Sequence, residues 1–279
     1  MQSKNLVELD EIRAMLLEDL GEGDLTASII PTDMHASAAV ITRESAVLCG
    51  QAWFSGVFQV LDTQANIEWD FKDGDSLQPG DRICRVQGKA RALLSAERSA
   101  LNWLQTLSGT ATRARIFADA VKGTGARVLD TRKTLPGLRK AQKYAVRCGG
   151  CANHRMGLYD GILIKENHIL AAGSIGNAVL GARARHPGYS IEVEVENLDE
   201  FRQALDVKAE QILLDNFTLN QMREAVEINR SRAKLEASGN VNLENIRDIA
   251  QTGVDFISVG SLTKDVRAID LSMNIDLVT

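Results

Sequence analysis

Positively charged side chains are concentrated in one short part of a chain that is acidic overall. Between positions 132 and 168 only two acids occur, Asp160 and Glu166, so this segment has a net charge of +6 in a 279-residue chain of net charge −5. Such a local excess is typical of a site for a small, highly charged anion, because a nucleic-acid surface usually makes the whole domain basic. The cations are Arg132, Lys133, Arg139, Lys140, Lys143, Arg147, Arg155 and Lys165.

Six short apolar or β-branched runs follow residue 125, with helical spacing between them. Strands that alternate with helices indicate βαβ units and a parallel sheet. The strand starts recur roughly every 20–34 residues, which is near the spacing of a (β/α) barrel. Six strands rather than eight predict an incomplete or atypical barrel, with a doubly wound open sheet as the alternative. The predicted strands are 127–131, 161–166, 190–195, 211–215, 233–238 and 255–260, and the predicted helices are 137–148, 174–186, 197–207, 218–230 and 241–252.

The first third of the chain has a different pattern, which predicts an α+β domain. Apolar residues recur at helical spacing over 5–20 and from Ala90 to Val121, and 51–63 is a further candidate helix. Short alternating runs bounded by Gly, Asp and Pro turns predict strands within 36–50 and 65–87.

Composition excludes several classes of protein. Hydrophobic residues make up 44% and charged residues 25% of the chain, which is a soluble globular composition. No apolar run approaches the ~18–20 residues of a membrane span, and the charged N-terminus has no apolar secretory core. Four cysteines in a chain of this length do not form a disulfide scaffold, so a cytoplasmic protein without a membrane partner is expected.

The residues that end the six predicted strands form a catalytic constellation. In βα barrels these ends converge on one mouth, where chemistry takes place. The early strands end in cations and the later strands in carboxylates or small residues. The residues concerned are Arg132, Lys133, Lys165, Glu194, Asp215, Ser238, Gly239, Asn240, Ser258 and Gly260.

The predicted strand 190–195 carries glutamates at every second position. Glu192, Glu194 and Glu196 share one face, because side chains alternate along a strand. A solvated edge strand would also have this pattern. We expect the glutamates to point into the barrel, because the strand lies in the middle of the βα series. Buried carboxylates then need partners, namely the basic cluster, a metal or a cationic reaction centre.

Two further motifs lie near the basic cluster. The predicted helix after Gly137 places Arg139, Lys143 and Arg147 one turn apart, a spacing that is usually a solvated face; Arg139, in the first turn, is expected near the anion and Lys140 in solvent. Cys148 and Cys151 form a CxxC motif, but no second Cys/His pair completes a zinc site, so we favour a chance pair in a Gly-rich turn.

Several longer strings resemble one enzyme family. They include TRKTLPGLR at 131–139 and NHRMGLYDGILIKENH at 153–168, and the other matching strings follow in the family's order over most of the chain: EDLGEGDLTA, ITRESAVLCG, AERSALNWLQTLSG, KYAVRCGG, IEVEVEN, LDNF, EASGN and VDFISVGSLT. The family is quinolinate phosphoribosyltransferase, which joins quinolinate to phosphoribosyl pyrophosphate with Mg²⁺ and releases pyrophosphate and carbon dioxide. The resemblance implies an N-terminal sandwich domain over 1–112, an incomplete α/β-barrel catalytic domain over 113–268, and a tail, 269–279, that packs back onto the first domain.

The resemblance also implies a role for each site residue. Arg132, Lys133, His154 and Arg155 would bind quinolinate, a planar dianion suited to guanidinium groups. Lys165 would lie between quinolinate and the pyrophosphate. Glu194 and Asp215 would lie near the ribose and Mg²⁺, which normally takes one or two carboxylates plus phosphates and waters. Arg98 would reach into the site of a neighbouring subunit, in a homodimer or larger homo-oligomer.

Two other functions fit the same residues. One is a related phosphoribosyltransferase that acts on another heterocycle without decarboxylation, although clustered cations favour a diacid. The other is a non-catalytic anion-sensing barrel, which has no need of Glu194 and Asp215 beside the cations. One departure from the family concerns Lys264 and Asp265, where many relatives have His-Ser, so a phosphate contact from that loop is left open.

Overall fold

The computed structural model describes residues 7–278, with side chains described up to position 276. This range divides into two compact units. One comprises the residues up to Arg113 together with those from Val266 onward, and the other is Ala114–Asp265. The predicted domain boundaries were 112/113 and 268/269. Positions 1–6, with the start of the predicted first helix, and position 279 of the tail lie outside the described residues.

The first unit combines helices with antiparallel strands. Its helices are α1 (Leu9–Leu20), α2 (Gln51–Leu61) and α3 (Ala90–Ala120), and a short 3₁₀ helix spans Ala27–Ile29. The domain boundary falls within α3. The strands are β1 (His35–Thr42), β2 (Ala46–Val47), β3 (Asn66–Trp69), β4 (Ser76–Leu77), β5 (Arg82–Lys89) and, at the end of the chain, β12 (Leu271–Val278).

The C-terminal strand is part of the first unit's sheet. That sheet has the order β12-β1-β5-β3 and is antiparallel throughout, while β2 and β4 form a separate pair. Alternate residues of β1 are buried, as expected for a strand with one face on a core. Trp53 of α2 stacks on Trp103 of α3, with ring centroids 6.0 Å apart. The predicted α+β character is confirmed.

The second unit alternates strands and helices. Its strands are β6 (Arg127–Leu129), β7 (Ile162–Ile164), β8 (Ile191–Val195), β9 (Gln211–Asp215), β10 (Lys234–Ser238) and β11 (Phe256–Ser258). Its helices are α4 (Arg139–Cys148), α5 (Glu166–Ala172), α6 (Ile175–Arg185), α7 (Leu198–Asp206), α8 (Leu219–Asn229), α9 (Ile246–Ala250) and α10 (Ser261–Lys264). All six predicted strands are present, whereas α5 and α10 are too short to have a detectable helical period.

The order of the parallel strands is that of a barrel. It runs β6-β11-β10-β9-β8-β7, so consecutive strands are neighbours from β7 to β11, and the first strand, β6, pairs with the last. In a doubly wound sheet the order of the strands would instead reverse at an interior strand. Ala152 extends the sheet beyond β6 through a parallel bridge to Leu129. Within residues 7–278 the ladder does not continue from Ala152 to β7, so the barrel is incomplete, as predicted.

Strand alternation decides which side chains face the barrel interior. Val193, Val195, Ile212 and Leu214 belong to the buried apolar core that the helices cover. Glu192 and Glu194, which alternate with these residues on β8, therefore point to the opposite side, into the barrel. Glu196 follows the end of β8 and is exposed, so the expectation that it is a third buried glutamate of this face is wrong. Among the described residues no helix has both the length and the apolar character needed to cross a bilayer.

Candidate active site

A pocket of about 180 Å³ lies in the second unit at the carboxyl ends of the parallel strands. Every one of the six strands contributes at least one residue to it, either within the strand or just after it, as the barrel geometry requires. Its lining therefore draws together positions that are up to 127 residues apart in the chain. The lining residues are Thr131, Arg132, Lys133, His154, Arg155, Leu163, Lys165, Glu194, Leu213, Glu236, Ser238 and Ser258.

One ion pair crosses the pocket wall between neighbouring strands. Lys165 follows β7 directly, and Glu194 lies near the end of β8, which is parallel to β7. The Lys165 ammonium donates to Glu194 Oε2. The lysine is 41% exposed and the glutamate 14%, so the pair lies at the boundary between the barrel interior and solvent.

Three more cations line the pocket: Arg132 and Lys133, which follow β6, and Arg155, which follows α4. Lys133 packs against Gly260, where an added Cβ would lie 3.1 Å from Lys133 Cδ. Its carbonyl accepts a hydrogen bond from Thr263 Oγ1 at 2.7 Å. Arg155 donates to the carbonyl of Gly161 at 3.1 Å, and burial together with the charge of Arg132 lowers the pKa of Arg155. Like charges are therefore held close together here.

Arg139 organises the loop that carries these cations. Its guanidinium donates to the carbonyls of Arg132 and Met156, each at 3.3 Å, and to Thr134 Oγ1 at 3.2 Å. It lies outside the residues that line the pocket, within the described range. Lys140 is exposed, as expected.

A buried ion pair fixes the main chain of His154. The expectation that Lys143 belongs to a solvated face is wrong: its side chain is fully buried and forms an ion pair with Asp130, which is also fully buried. Lys143 Nζ also donates to the carbonyl of His154 at 2.9 Å, and Asp130 accepts the His154 N–H at 2.9 Å. Asn153 donates to both Asp130 Oδ2, at 2.5 Å, and the Lys143 carbonyl, at 2.8 Å.

The ring of His154 is fixed by contacts on both nitrogens. Nδ1 accepts the N–H of Arg155 at 2.7 Å, and Nε2 lies 3.0 Å from Glu192 Oε2. Glu236 lies on the same side, with Oε1 3.7 Å from Nε2. Burial and the charge of Glu192 raise the pKa of Glu236, which favours the protonated form of this carboxyl.

The turns that follow β10 and β11, at 237–240 and 258–261, and Asp215 lie at the carboxyl ends of their strands. Gly239 has φ +99°, and a Cβ there would lie 2.1 Å from Asn216 Oδ1, so only glycine permits this close approach. Asn240 also has a positive φ, of 50°, and its amide donates to Asn216 Oδ1 at 3.4 Å. Asp215 ends β9 and accepts from the Asn216 amide at 2.8 Å. Within residues 7–278 the lining of the pocket includes Ser238 and Ser258 but omits Asp215, Gly239, Asn240 and Gly260.

Arg98, Cys148 and Cys151 are not among the residues that line this pocket, within the described range. Arg98 is an exposed residue of α3 within the first unit. The Cys151 thiol is buried and donates to the carbonyl of Ala114 at 3.1 Å, and burial raises its pKa to about 12. Its surroundings are those of a packing residue, whose thiol stays protonated.

Comparison with known proteins places this site in a family. The model of the quinolinate phosphoribosyl transferase C-terminal domain matches residues 110–274, and that of the N-terminal domain matches residues 24–108. The chain belongs to the quinolinate phosphoribosyltransferase family. Together the two matches cover both compact units, so the family assignment applies to the whole fold.

Individual relatives are similar over almost their whole length. The probable nicotinate-nucleotide pyrophosphorylase (carboxylating) of Bacillus subtilis (strain 168) is 42% identical over 262 residues, which are 94% of this chain and 91% of that protein. The nicotinate-nucleotide pyrophosphorylase (carboxylating) of Mycobacterium leprae (strain TN) is 42% identical over 276 residues, 95% and 96% of the two chains. The solved structure of the Francisella tularensis nicotinate-nucleotide pyrophosphorylase has a TM-score of 0.92 and 45% identity, and the match covers 97% of this chain and 98% of that one.

Four residues of this family member's site escaped prediction from sequence. Asp130 lies within the predicted strand 127–131 and Lys143 belongs to the predicted helix face, while Gln211 and Glu236 lie on predicted strands; the sequence assigns none of the four a role in the site. The available signal for Glu236 was its position two residues before Ser238 on a predicted strand, which places both side chains on one face. No comparable signal marks Lys143, because its burial depends on where α4 packs.

Replacement of Lys143 by methionine is expected to destabilise the protein by about 3–5 kcal/mol, because it leaves Asp130 as an unpaired buried charge. Urea unfolding monitored by circular dichroism measures this loss. Lys234→Met is the matched control: Lys234 is 63% exposed and pairs with Asp255 at 2.6 Å, so its loss is expected to cost at most about 1 kcal/mol. Equal effects of the two substitutions would contradict a structural role for the buried pair.

Proposed function

We propose that this protein transfers the phosphoribosyl group of phosphoribosyl pyrophosphate to quinolinate, with decarboxylation. The products are nicotinate mononucleotide, pyrophosphate and carbon dioxide, a step of NAD biosynthesis. The observation that carries the proposal is that Arg132, Lys133, Arg155, Lys165 and Glu194 all line the same pocket. Membership of the family and the names of its relatives support the same reaction.

The cations of the pocket suit a planar dicarboxylate. Quinolinate carries two carboxylates on adjacent ring carbons, and guanidinium groups bind planar carboxylates through paired hydrogen bonds. Arg132 and Arg155 are the proposed partners of the quinolinate carboxylates, and Lys133 and His154 are the proposed additional contacts of the same ligand. Burial and the charge of Arg132 lower the pKa of Arg155, and the repulsion between these two cations would be relieved when the dianion binds.

The carboxylates near the ends of β8 and β9 suit the other reactant. Cleavage of the bond from ribose C1 to pyrophosphate leaves positive charge on the sugar, which Glu194 and Asp215 are proposed to stabilise electrostatically. Lys165 lies beside Glu194 and is proposed to stabilise the leaving group. The pyridine nitrogen then forms its bond to C1 and becomes positively charged.

Decarboxylation needs no further cofactor in this scheme. As carbon dioxide leaves, the electron pair of the carbon–carboxylate bond stays on the ring carbon, where the adjacent positive nitrogen stabilises it, and this carbon then takes up a proton from water. The task of the protein is to hold both carboxylates of quinolinate in fixed positions, which the clustered cations can do.

Magnesium is the proposed metal ion. Glu194 and Asp215 end adjacent parallel strands, and their carboxylate oxygens are the hard ligands that Mg²⁺ prefers in combination with substrate phosphates and waters. This donor set fits the ion, although Glu194 shares one oxygen with Lys165. When bound, Mg²⁺ would neutralise charge on the pyrophosphate.

The quaternary structure and the cellular location are proposals as well. We infer a homodimer, or a larger homo-oligomer, in which exposed Arg98 enters the partner's site. A cytoplasmic location agrees with the four free cysteines, which are typical of a reducing compartment.

An assay of the purified protein with quinolinate, phosphoribosyl pyrophosphate and Mg²⁺ tests the function. Nicotinate mononucleotide should form, with carbon dioxide and pyrophosphate released in equal amounts, and EDTA should stop turnover until excess Mg²⁺ is added. Pyrophosphate without carbon dioxide would indicate a different heterocycle, and ligand binding without any turnover would indicate a sensor.

Lys165→Ala is expected to lower kcat by about 10²–10³, the usual effect of removing one preorganised charge that stabilises the transition state. Steady-state kinetics under saturating substrates measure this loss. The control is Lys140→Ala, because Lys140 is exposed and lies outside the pocket lining. Near-normal turnover of the Lys165 variant would remove this residue from the mechanism.

Mixed dimers test the role of Arg98. Arg98→Ala and Lys165→Ala are each expected to be nearly inactive alone. If each site combines Lys165 of one subunit with Arg98 of the other, random co-assembly should restore about a quarter of wild-type activity, because half of the dimers contain one intact site. Activity that stays at the sum of the two separate variants would show that Arg98 does not act across an interface.

A further inference from the structure

A second layer of polar side chains lies inside the barrel beneath the pocket. It consists of Glu192 of β8, Gln211 of β9 and Glu236 of β10, and we refer to it as the interior cluster. Glu192 is 7% exposed and Glu236 is fully buried. Buried carboxylates are costly unless they are hydrogen-bonded, so their retention here requires an explanation.

The amide of Gln211 joins the two carboxylates. Its Nε2 donates one hydrogen to Glu192 Oε1 at 2.8 Å and the other to Glu236 Oε2 at 2.7 Å. Glu192 uses its second oxygen to contact His154 Nε2 at 3.0 Å. Glu236 Oε1 has no hydrogen-bond partner among the described residues, and the same His154 nitrogen lies 3.7 Å from it. The cluster is therefore directed at the ring of His154.

The hydrogen bonds of His154 determine which nitrogen carries a proton. A neutral imidazole has one nitrogen that donates and one that accepts. Nδ1 accepts the N–H of Arg155, so the proton is on Nε2, where it is donated to Glu192. The ligand atoms of His154, Glu192 and Glu236 all lie within 4.8 Å of one another, as in a metal site, but Nε2 then has no lone pair for a metal.

Two residues of the pocket depend on this ring. His154 itself lines the pocket, and its Nδ1 holds the N–H of Arg155, whose guanidinium is a proposed partner of quinolinate. A rotated ring would release that N–H and allow Arg155 to shift. Displacements of about 1 Å in positioning groups can cost on the order of 10² in rate, so small movements at this point matter.

We propose that Glu192 and Gln211 are positioning residues for the anion-binding half of the site: they hold His154 as its Nε2–H tautomer and, through it, fix Arg155. This inference rests on the proposed function for its kinetic consequences, but not for its structural ones. Glu236 completes the cluster as the second acceptor of the Gln211 amide.

The charges of the cluster are consistent with this role. Two ionised carboxylates sharing one buried amide would repel each other. Burial and the charge of Glu192 raise the pKa of Glu236, which favours the protonated form of this carboxyl and so reduces the repulsion.

Kinetics of single variants provide the first test. Glu192→Leu and Gln211→Leu should each raise the KM for quinolinate on the order of 10–100-fold, the scale at which outer partners of a binding histidine act in metal sites. The KM for phosphoribosyl pyrophosphate should change little, since Lys165, Glu194 and Asp215 are untouched. The matched control is Glu210→Leu: Glu210 holds the Ile191 N–H at 2.9 Å and pairs with Arg183 at 2.8 Å, away from His154. An unchanged KM for quinolinate in both cluster variants would overturn the proposal.

A donor–acceptor exchange separates positioning from simple loss of stability. Glu192→Gln alone places the amide NH₂ of residue 192 opposite that of Gln211, so two donors face each other. Gln211→Glu alone adds a third carboxylate to the cluster. Both variants should therefore weaken quinolinate binding. The double variant E192Q/Q211E restores an acceptor for His154 and a donor–acceptor pair between the two positions, with no change in total charge. Its KM for quinolinate should return towards the wild-type value. A double variant as impaired as the sum of the single ones would contradict the proposed arrangement.

The tautomer of His154 is measurable without any turnover. Nitrogen-15 NMR of histidine-labelled protein distinguishes the two neutral tautomers and the imidazolium ion, and a His154→Ala variant assigns the signal among the four histidines. An Nε2–H signal that is lost in Glu192→Leu supports the proposal, and an Nδ1–H or doubly protonated ring in the wild-type protein overturns it. If the wild type forms no mononucleotide, the proposed function fails. The NMR measurement still shows whether the interior cluster holds His154 as the Nε2–H tautomer.

Discussion

Repulsion between like charges is the constraint on which this site depends. Arg132, Lys133, Arg155 and Lys165 line one pocket of about 180 Å³, where four positive charges without compensation would drive the strand ends apart. Carboxylates from the following strands provide that compensation, with Glu194 bound to Lys165 and Glu192 directed at His154. The pocket is thus prepared for a ligand with two negative charges, and the same carboxylates remain available to a reactant that becomes positive.

Below the charged surface, buried polar contacts make the arrangement rigid. The Lys143–Asp130 pair holds the main chain of His154 from both sides, and the interior cluster holds its ring. Breaking a buried ion pair costs far more than losing an exposed one, so these contacts define positions as well as adding stability. Arg139 has a similar task in the neighbouring loop, where its guanidinium is bound to main-chain carbonyls.

Prediction from the sequence succeeded where a residue's role follows from local periodicity. The six parallel strands and the inward direction of Glu192 and Glu194 followed from β-branched runs and strict alternation, and the structure confirms both. Prediction failed for Lys143, whose spacing along α4 is that of an ordinary solvated helix face. Lys143 is buried because α4 packs over Asp130, a residue 13 positions earlier in the chain. No local sequence pattern predicts that contact.

The sequence by itself determined the alternation of strands and helices, the excess of cations over 132–168 and the family to which the chain belongs, because these are properties of residue order. Only the tertiary structure decided which of those cations share a pocket and which are used internally, as Lys143 and Arg139 are. It also decided that Gln211 and Glu236 meet Glu192 beneath His154. The reason is physical: hydrogen bonds and ion pairs depend on distances of a few ångströms between atoms, and these distances arise only when strands far apart in the chain become neighbours in the barrel.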